Sequence, residues 1–584
     1  MKKKLRTRKI NVRKLIGDTC ALVIFAWVMI QIFLPSFDIL SIYERMPELL
    51  TGNSGLIING DIVRDASPII YENGEVMLPL SILTKYVDDT IIQNDNYIIC
   101  ANKSTYIRYE VDEIKYVLNG KVKKAKTKPI NKDGIIYLPM ELLSELYGIS
   151  FNYIQDSNIL VMDLAGVTRE ICIASSDDSM RETNSIKSSI VGNILISDEV
   201  VRYNIDNTWS KIINKEGIVG YVKNNSLTYK ESITNTASSN IELNSGLTYG
   251  SVNVTLSNDE DNNDKENNKK EKINIVWYQV SNKNSNPKVD TLKKIPGATH
   301  LCFTWFEITN KDGDIKEKID NDIVKWAHKN NYKIWALVTN PFSNSDLSHD
   351  MLSNPVAREN AISEMINYVK KYNIDGINVD IESIKSKTGP YYVQFIRELS
   401  VFSKLNDIEL SLDMYMPSQG TSFYKRDVVQ EYVDYFCLMA YDEHWSTCPE
   451  AGSVASLPWV EKGIKETLKD VPEDKLVLGI PLYTRRWEVD KNNKVISQKS
   501  FGMDNAKNDL EKNKVKITFD DKTKQNYGEY KIDDSIYKIW LEDEISIKER
   551  LDLAKTYNLR GVASWKKGFD NDDIWKLYED YMKK

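Results

Sequence analysis

Apolar and polar residues follow two alternating patterns along residues 272–584. Short apolar or alternating runs predict β-strands, and the longer segments between them carry apolar residues at helical spacing. Helices are predicted, for example, at 358–372, 391–405 and 546–557. This alternation is typical of a parallel α/β fold. The predicted strands are 273–280, 300–308, 333–339, 376–382, 409–416, 435–441, 476–483 and 561–565.

The number of strands predicts a particular parallel fold. Eight strands in just over 300 residues fit one (β/α)8 barrel at 272–584, with an α+β insertion near 488–540. The active sites of such barrels lie at the C-terminal ends of the strands. We therefore expect a functional site where several polar and aromatic side chains fall at predicted strand ends. These are Glu382, Tyr415, Tyr441, Tyr483 and Trp565.

The predicted fourth strand carries three polar side chains on one face. Apolar and polar residues alternate from Ile377 to Glu382, so Asn378, Asp380 and Glu382 point to the same side. Such a row is costly on an apolar strand unless that face is a site. The two carboxyls also repel each other's charge, so one is expected to hold a proton near neutral pH, as a general acid must. A solvated antiparallel strand is the alternative interpretation.

The first 36 residues combine positive charge with an apolar run. Eight Lys and Arg residues lie within 1–14, and an apolar run extends from Thr19 to Leu34. A positive flank keeps the N-terminus in the cytoplasm and sends the downstream chain across the membrane. The run is shorter than about 20 residues, so a cleaved signal peptide is the alternative, although no small-residue cleavage site comes after it. We predict a cytoplasmic head at 1–14, a transmembrane signal anchor at 15–36 and an extracytoplasmic remainder.

An internal repeat marks residues 56–166. The segment Gly74–Leu80 reappears sixty positions later as Gly134–Met140. Each copy runs from a predicted strand into a short helix that is preceded by proline. The helices are predicted at 81–87 and 141–147, and a second strand-like run follows each one at 97–100 and 159–162. The repeat predicts one α+β domain built from two related units.

Two further segments precede the barrel. Residues 167–230 contain short strands joined by turns and end in a hairpin pattern at 209–222. Residues 231–271 lead into a run without any apolar residue to bury, so they are predicted to be a solvated linker. A flexible linker of this kind would let the C-terminal domain reach many positions on a surface.

Composition excludes several classes of function. The net charge of -7, without a basic domain, argues against a nucleic-acid partner. The six cysteines, at 20, 100, 172, 302, 437 and 448, have neither paired nor metal-ligand spacing. All four histidines, at 300, 328, 349 and 444, lie in the C-terminal half. We therefore expect no disulfide framework, no metal and no cofactor.

The segment Asp375–Glu382 resembles the signature of family-18 glycoside hydrolases, Asp-x-x-Asp-x-Asp-x-Glu at the end of the fourth barrel strand. Asp380 and Glu382 match it, and Asn378 stands where most chitinases have Asp. Asp375 also matches but breaks the alternation, so we expect it to support the start of the strand. The resemblance covers about residues 272–584. It is nearest to a bacterial branch whose members attack the peptidoglycan of the spore cortex or cell wall.

The resemblance implies a substrate-assisted retaining mechanism. Glu382 would be the catalytic acid, Asp380 would bind the acetamido N–H of the sugar, and Tyr441 would donate to the acetamido oxygen that attacks the anomeric carbon. Tyr441 lies in a Met-x-Tyr-Asp motif, and Trp565 matches the strand-eight Trp that forms the floor under the sugar. The predicted substrate-binding residues are Asn378, Trp565, Tyr415, Asp442, Tyr483 and Trp445. Tyr415 and Asp442 could equally be structural polar partners, and Trp445 could pack under the insertion.

The N-terminal segments resemble envelope-associated domains. Residues 56–166 are similar to the bacterial domain related to the N-terminal domain of copper amine oxidases, although the segment has no histidine and only Cys100 as a soft ligand. The hairpin at 209–222 resembles the end of a bacterial SH3-like barrel, which implies a small all-β SH3-like domain at 167–230. Such domains would provide spacing or contact with the cell wall.

These observations predict a multidomain, membrane-anchored glycosidase. Its expected reaction is cleavage of β-1,4 bonds after N-acetylglucosamine in peptidoglycan or another glycan that contains this sugar. A chitinase that acts on chitin or its oligosaccharides is one alternative. A catalytically silent glycan-binding envelope protein is another, although such relatives typically replace the acid that is present here as Glu382.

Overall fold

The computed structural model describes residues 12–64, 69–72, 74–102, 105–235 and 271–583. These residues divide into two compact units. Within the described residues, one unit holds 12–89, 110–115 and 124–235, and the other holds 90–109, 116–123 and 271–583. Most of the predicted basic head at 1–14 and of the predicted linker at 231–271 lies outside the described residues.

A helix from Val12 to Phe33 occupies most of the predicted anchor segment. Its apolar side chains Leu22, Phe25 and Trp27 are 68%, 62% and 60% exposed. By length and hydropathy together, none of the helices formed by the described residues qualifies as a membrane span.

The two copies of the repeat meet in one sheet. Strands Glu75–Pro79 and Ile135–Pro139 pair antiparallel, with Leu78 opposite Leu138, and each strand runs directly into a short helix. The helices are Leu80–Tyr86 and Met140–Tyr147, and strands Ile70–Glu72 and Ile130–Lys132 lie at the edges of the sheet. A second sheet has the order Ser150–Ile154, Ile159–Asp163, Gly55–Ile58 and Asp61–Val63.

A seven-stranded antiparallel sheet follows the repeat. The hairpin predicted at 209–222 is formed by strands Trp209–Ile213 and Val219–Lys223. The indole of Trp209 is only 9% exposed, so it serves packing within this sheet. The order of strands is Ile190–Ile194, Asp178–Arg181, Val219–Lys223, Trp209–Ile213, Glu199–Ile205, Thr168–Ala174 and Leu227–Thr234. The SH3-like assignment of this segment stays a prediction.

Part of the segment between the two repeat copies belongs to the second unit. It forms a five-stranded sheet of Ile92–Asn94, Tyr97–Ala101, Tyr106–Glu110, Lys115–Leu118 and Lys121–Lys124, paired in that order. Tyr106 packs against Phe402 with ring centroids 5.3 Å apart, and Arg108 Nε lies 2.7 Å from Glu359 Oε2. Ile99 and Val117 share a buried apolar cluster with Val401. We call this sheet the docked sheet.

The rest of the second unit is the predicted parallel barrel. Eight strands pair in a closed ring, since the first pairs in parallel with both the second and the last. In chain order they are Ile273–Tyr278, His300–Ile308, Lys333–Thr339, Gly376–Asp380, Glu409–Tyr415, Tyr435–Met439, Leu476–Pro481 and Gly561–Trp565. We refer to them as barrel strands 1 to 8. The fold class predicted for 272–584 is therefore confirmed.

Helices surround the barrel, and an insertion extends it. The helices are Asn321–Lys329, Ser345–Ser353, Pro355–Tyr372, Gly389–Lys404, Arg426–Val429, Leu457–Thr467, Glu544–Thr556 and Trp575–Met582. The insertion after barrel strand 7 has α+β structure, as predicted, but begins at Tyr483 rather than near 488. It consists of strands Tyr483–Val489, Val495–Gly502, Thr518–Asp520, Gln525–Ile532 and Ser535–Trp540 with helix Met503–Lys512. The barrel interior is filled by side chains such as Trp277, Trp335 and Cys437, each fully buried.

Candidate active site

A cavity of ≈ 580 Å³ opens at the C-terminal ends of barrel strands 4 to 8. The residues that line it come from these strand ends and from the loops that follow them. They are Asp380, Glu382, Asp413, Tyr415, Met416, Pro417, Ser418, Thr421, Met439, Tyr441, Asp442, Glu443, Trp445, Trp459, Tyr483 and Trp565. Carboxyls, phenols and indoles therefore surround one concave space of a size that suits a small ligand.

Eight of the nine predicted site residues line this cavity: Glu382, Asp380, Tyr441, Trp565, Tyr415, Asp442, Tyr483 and Trp445. The ninth, Asn378, does not. Its side chain is fully buried, accepts a hydrogen bond from Trp277 Nε1 at 3.0 Å, and donates to Ser411 Oγ at 2.9 Å and Asp413 Oδ1 at 2.8 Å. The structure therefore places Asn378 one layer below the cavity, where it supports Asp413 instead of contacting a substrate.

Burial raises the pKa of three neighbouring carboxyls. The pKa of Asp380 lies well above its usual range because it is desolvated and faces Glu382 and Asp413. Burial also raises the pKa of Glu382, although hydrogen bonds from Tyr415 and Asp380 oppose the shift. The pKa of Asp413 rises to about 8 by burial, against hydrogen bonds from Asn378 and Cys437. The cluster thus retains protons near neutral pH, and Glu382 is its most exposed member.

The backbone of Glu382 is held by a side chain from the loop that comes after barrel strand 3. Barrel strand 4 ends at Asp380, so Glu382 lies in the loop and not in the strand as predicted. Its N–H donates to Asn340 Oδ1 at 2.9 Å, and its carbonyl accepts from Asn340 Nδ2 at 2.8 Å. Asn340 is buried and also donates to Ser348 Oγ at 2.9 Å. This asparagine replaces the missing strand pairing and fixes where the carboxyl emerges.

We expect Asn340→Ala to lower kcat by about 10- to 100-fold, because a small displacement of a catalytic group is costly for the rate. KM should change much less, since Asn340 does not line the cavity. Steady-state kinetics and near-UV circular dichroism of the full-length variant check this. An unchanged kcat in a folded variant would show that Asn340 does not position the acid.

The outer wall of the cavity joins the loop after barrel strand 6 to the insertion. Asp442 accepts a hydrogen bond from the Tyr483 hydroxyl and forms an ion pair with Arg485 Nη2 at 2.6 Å. Arg485 Nε also donates to the carbonyl of His444 at 3.1 Å. Trp445 is 50% exposed on this rim. Asp442 is thus both a cavity residue and a structural partner, and Trp445 is open to contact a ligand.

The remaining motif residues are Trp565 and Tyr441, which line the cavity, and Asp375, which lies at the other end of the barrel. Trp565 packs edge-on against Trp277 with ring centroids 6.0 Å apart, and it lines the cavity from the end of barrel strand 8. Tyr441 is half-buried, and burial raises its pKa well above the usual range, so its hydroxyl keeps its proton and can donate. Asp375 lies at the opposite end of barrel strand 4, where its carboxylate accepts from Ile334 N at 2.8 Å. The predicted supporting role of Asp375 is therefore confirmed.

Among the polar residues that sequence reasoning missed, Asp413 belongs to the carboxyl cluster and Asn340 holds the backbone of Glu382. Asp413 lies on barrel strand 5 on the same face as Ser411 and Tyr415, so the period-two pattern that selected Tyr415 could also have found it. Asn340 comes after barrel strand 3 in a loop, where no periodic signal exists. Among the described residues, no group of three or more His, Cys, Asp or Glu side chains is arranged to hold a metal ion.

Comparison with known proteins identifies the barrel. Residues 274–570, about half of the chain, match the family described as Glycosyl hydrolases family 18. The chain belongs to glycosyl hydrolases family 18. This family 18 protein is accordingly a glycosidase. Residues 57–162 match the family described as Copper amine oxidase N-terminal domain, in agreement with the resemblance noted for residues 56–166.

Several relatives of this family 18 enzyme are bacterial. It is 27% identical over 284 residues to the uncharacterized glycosylase YvbX of Bacillus subtilis, covering 46% of this chain and 80% of that protein. It is 23% identical over 242 residues to the cortical fragment-lytic enzyme of Bacillus subtilis, covering 40% of this chain and 56% of the relative. The crystal structure of a chitinase from Chromobacterium violaceum shares 18% identity and a TM-score of 0.48, covering 54% of this chain and 99% of that one.

Proposed function

We propose that this family 18 enzyme cleaves β-1,4 bonds after N-acetylglucosamine in peptidoglycan by substrate-assisted retaining catalysis. The observation that carries the proposal is the cluster of buried carboxyls with raised pKa values under an aromatic-lined cavity, with Glu382 as its outermost member. Hydrolysis of a glycosidic bond needs an acid for the leaving oxygen and a means of stabilising the oxocarbenium-like carbon.

In the first step Glu382 passes its proton to the leaving oxygen as the bond to the anomeric carbon breaks. Its pKa is raised by burial, and this direction suits the role because it favours the protonated form that a general acid needs. The acetamido oxygen of the same sugar forms the new bond to the anomeric carbon and gives an oxazolinium ion. Water then attacks that carbon while its bond to the acetamido oxygen breaks, which restores the acetamido group, and the carboxylate of Glu382 takes up the proton of the water.

The position of Asp380 supports attack by the substrate's own acetamido group. Asp380 is only 7% exposed and lies two residues before Glu382, at the end of barrel strand 4 and deeper in the barrel. A nucleophile on the opposite face of the sugar is therefore not supplied by this residue. Its Oδ1 is buried without a hydrogen-bond partner among the described residues, so it can accept the acetamido N–H. Tyr441, whose hydroxyl keeps its proton, would donate to the acetamido oxygen.

We further propose that the enzyme is a single-pass membrane protein whose barrel lies outside the cytoplasm. The exposed apolar side chains of the helix Val12–Phe33, such as Leu22, Phe25 and Trp27, support insertion into lipid. Eight Lys and Arg residues within 1–14 support a cytoplasmic N-terminus. Peptidoglycan would then be the nearest polymer of acetamido sugars.

The modules between helix and barrel support the same substrate. The antiparallel sheet at 168–234 is compatible with an SH3-like domain that contacts the wall. The similarity to the cortical fragment-lytic enzyme favours a cell-wall polymer over chitin. A chitinase is the second candidate, since N-acetylglucosamine is the reacting sugar in both polymers. The silent glycan-binding alternative is disfavoured because the complete acid cluster is present.

The substrate is tested with the full-length protein on purified peptidoglycan and on chitin oligomers, followed by reduction and mass spectrometry of the products. We expect reducing ends at N-acetylglucosamine from peptidoglycan. The same digest with Glu382→Gln is the control for a contaminating hydrolase. Efficient cleavage of chitin together with untouched peptidoglycan would contradict the proposal.

A further inference from the structure

A second cavity of ≈ 620 Å³ lies between the loops that come after barrel strands 1 and 8. Gln279 and Lys567 line it just beyond the C-terminal ends of barrel strands 1 and 8, at the end of the barrel that holds the active site. Lys293 and Lys294 line it from the part of the loop that leads back towards barrel strand 2. Its walls combine apolar side chains, such as Leu292, Ile295 and Trp575, with the lysines Lys293, Lys294 and Lys567. The cavity is therefore apolar within and positively charged at its edge.

Two of these lysines carry charge that the protein does not neutralise. Lys293 and Lys294 are exposed, and among the described residues their ammonium groups make no hydrogen bond or ion pair. Lys567 is paired with Asp570, and Asp572 is the one carboxylate among the described residues that line this cavity. An anionic ligand group would thus find two unpaired cations at the rim.

The second cavity borders the active site. Trp565 lines the catalytic cavity, and Lys567, two residues further along the chain, lines the second one. Two residues span at most about 7 Å of chain. The Lys567 end of the second cavity is therefore within the reach of a glycan strand that extends in that direction from a sugar on Trp565.

The chemistry of peptidoglycan provides the anion. N-acetylglucosamine alternates in that polymer with a sugar that carries a lactyl ether, which ends in a carboxylate or in a short peptide. Whichever direction the strand takes, the neighbour of a reacting N-acetylglucosamine bears this substituent. Chitin offers only an uncharged hydroxyl at the same position.

We infer that the second cavity binds the lactyl or peptide carboxylate of the sugar next to the reacting N-acetylglucosamine, with Lys293 and Lys294 as the cationic contacts. This inference rests on the proposed function. It assigns the enzyme's preference for peptidoglycan over chitin to a site outside the catalytic cavity. The apolar walls would contact the methyl groups of the lactyl ether and peptide, and the lysines would attract the carboxylates.

The test compares the wild type with Lys293→Ala/Lys294→Ala, both as full-length protein, on soluble peptidoglycan strands and on chitin oligomers. We expect KM for peptidoglycan strands to rise about 5-fold, as the loss of two exposed charge contacts implies, with kcat unchanged. KM for chitin oligomers should not change. The difference should shrink at high salt because exposed charges are screened. Lys293→Glu/Lys294→Glu should raise KM for peptidoglycan further.

Lys329→Ala/Lys462→Ala removes the same charge from exposed positions on barrel helices outside both cavities, and it should leave both KM values unchanged. The same KM comparison on peptidoglycan whose peptides have been removed by an amidase identifies which carboxylate is bound. A persisting effect assigns the lactyl carboxylate, and a lost effect assigns the peptide carboxylates. An unchanged KM on peptidoglycan, or an equal rise on both substrates, would overturn the inference while leaving the proposed function standing. A wild type that cleaves only chitin would overturn the proposed function itself.

Discussion

Replacing Glu382 by glutamine is expected to abolish hydrolysis and to leave the fold and much of the glycan affinity intact. The amide has nearly the same shape as the carboxyl but cannot give a proton to the leaving oxygen, a step that contributes about 10²–10⁴-fold. The backbone contacts of residue 382 with Asn340 do not involve the substituted group, so its position is preserved. Turnover of peptidoglycan and of chitin oligomers measures the loss, and calorimetric binding of a chitin oligomer measures the affinity.

Glu450→Gln is a matched control for that experiment. Glu450 is exposed in the loop after barrel strand 6 and does not line the cavity, so the same chemical change there should leave turnover unchanged. If Glu382→Gln retained more than about a tenth of wild-type turnover, Glu382 would not be the acid. Asp380 would then become the candidate, since its pKa is also raised.

Arg358→Ala is expected to destabilise the protein by about 3–5 kcal/mol, because it leaves a buried carboxylate without its partner. Arg358 and Glu398 are both fully buried between helices Pro355–Tyr372 and Gly389–Lys404. The guanidinium donates from Nε to Oε2 at 2.9 Å and from Nη2 to Oε1 at 2.8 Å. Its Nη1 also donates to the Leu352 carbonyl at 2.7 Å. Thermal and urea unfolding of the full-length variant measure the loss.

The double variant Arg358→Met/Glu398→Leu distinguishes the charge from the packing. It removes both charged groups and keeps apolar volume, so it should recover much of the stability that Arg358→Ala loses. A double variant that is as unstable as Arg358→Ala would show that shape, and not the unpaired charge, sets the cost. The ion pair does not line the active-site cavity, so folded variants should retain wild-type kcat.

The barrel could be predicted from the sequence because its strands carry strong periodic patterns. Barrel strands 2, 3 and 8 have the predicted bounds, and barrel strand 5 is one residue shorter than predicted. The same alternation brought Asp380 and Glu382 to one face. The alternation does not show how deep in the barrel a side chain lies. It therefore predicted that Asn378 contacts the substrate, although Asn378 lies beneath Asp413.

The contacts that position the acid could not be predicted in the same way. Asn340 contacts the loop of the adjacent barrel strand from an irregular segment, so neither its spacing nor its type distinguishes it from other loop asparagines. The pKa of Asp413 is likewise raised by burial in the folded barrel, against hydrogen bonds from Asn378 and Cys437, which are distant in sequence. Local pattern thus indicates which residues face the axis, and tertiary packing decides which of them hold protons.

The docked sheet has a consequence for how such chains can evolve by recombination. The family match at 57–162 treats these strands as part of one inherited module, yet Ile99 and Tyr106 share buried clusters and contacts with Val401 and Phe402 of the barrel. A crossover that joined this barrel to a foreign N-terminal module would expose the apolar surface around Val401 and Phe402 to solvent. It would also leave Glu359 without its ion pair to Arg108. The hydrolase and this stretch of its neighbour must therefore be inherited together or change in step, although the two segments match different families.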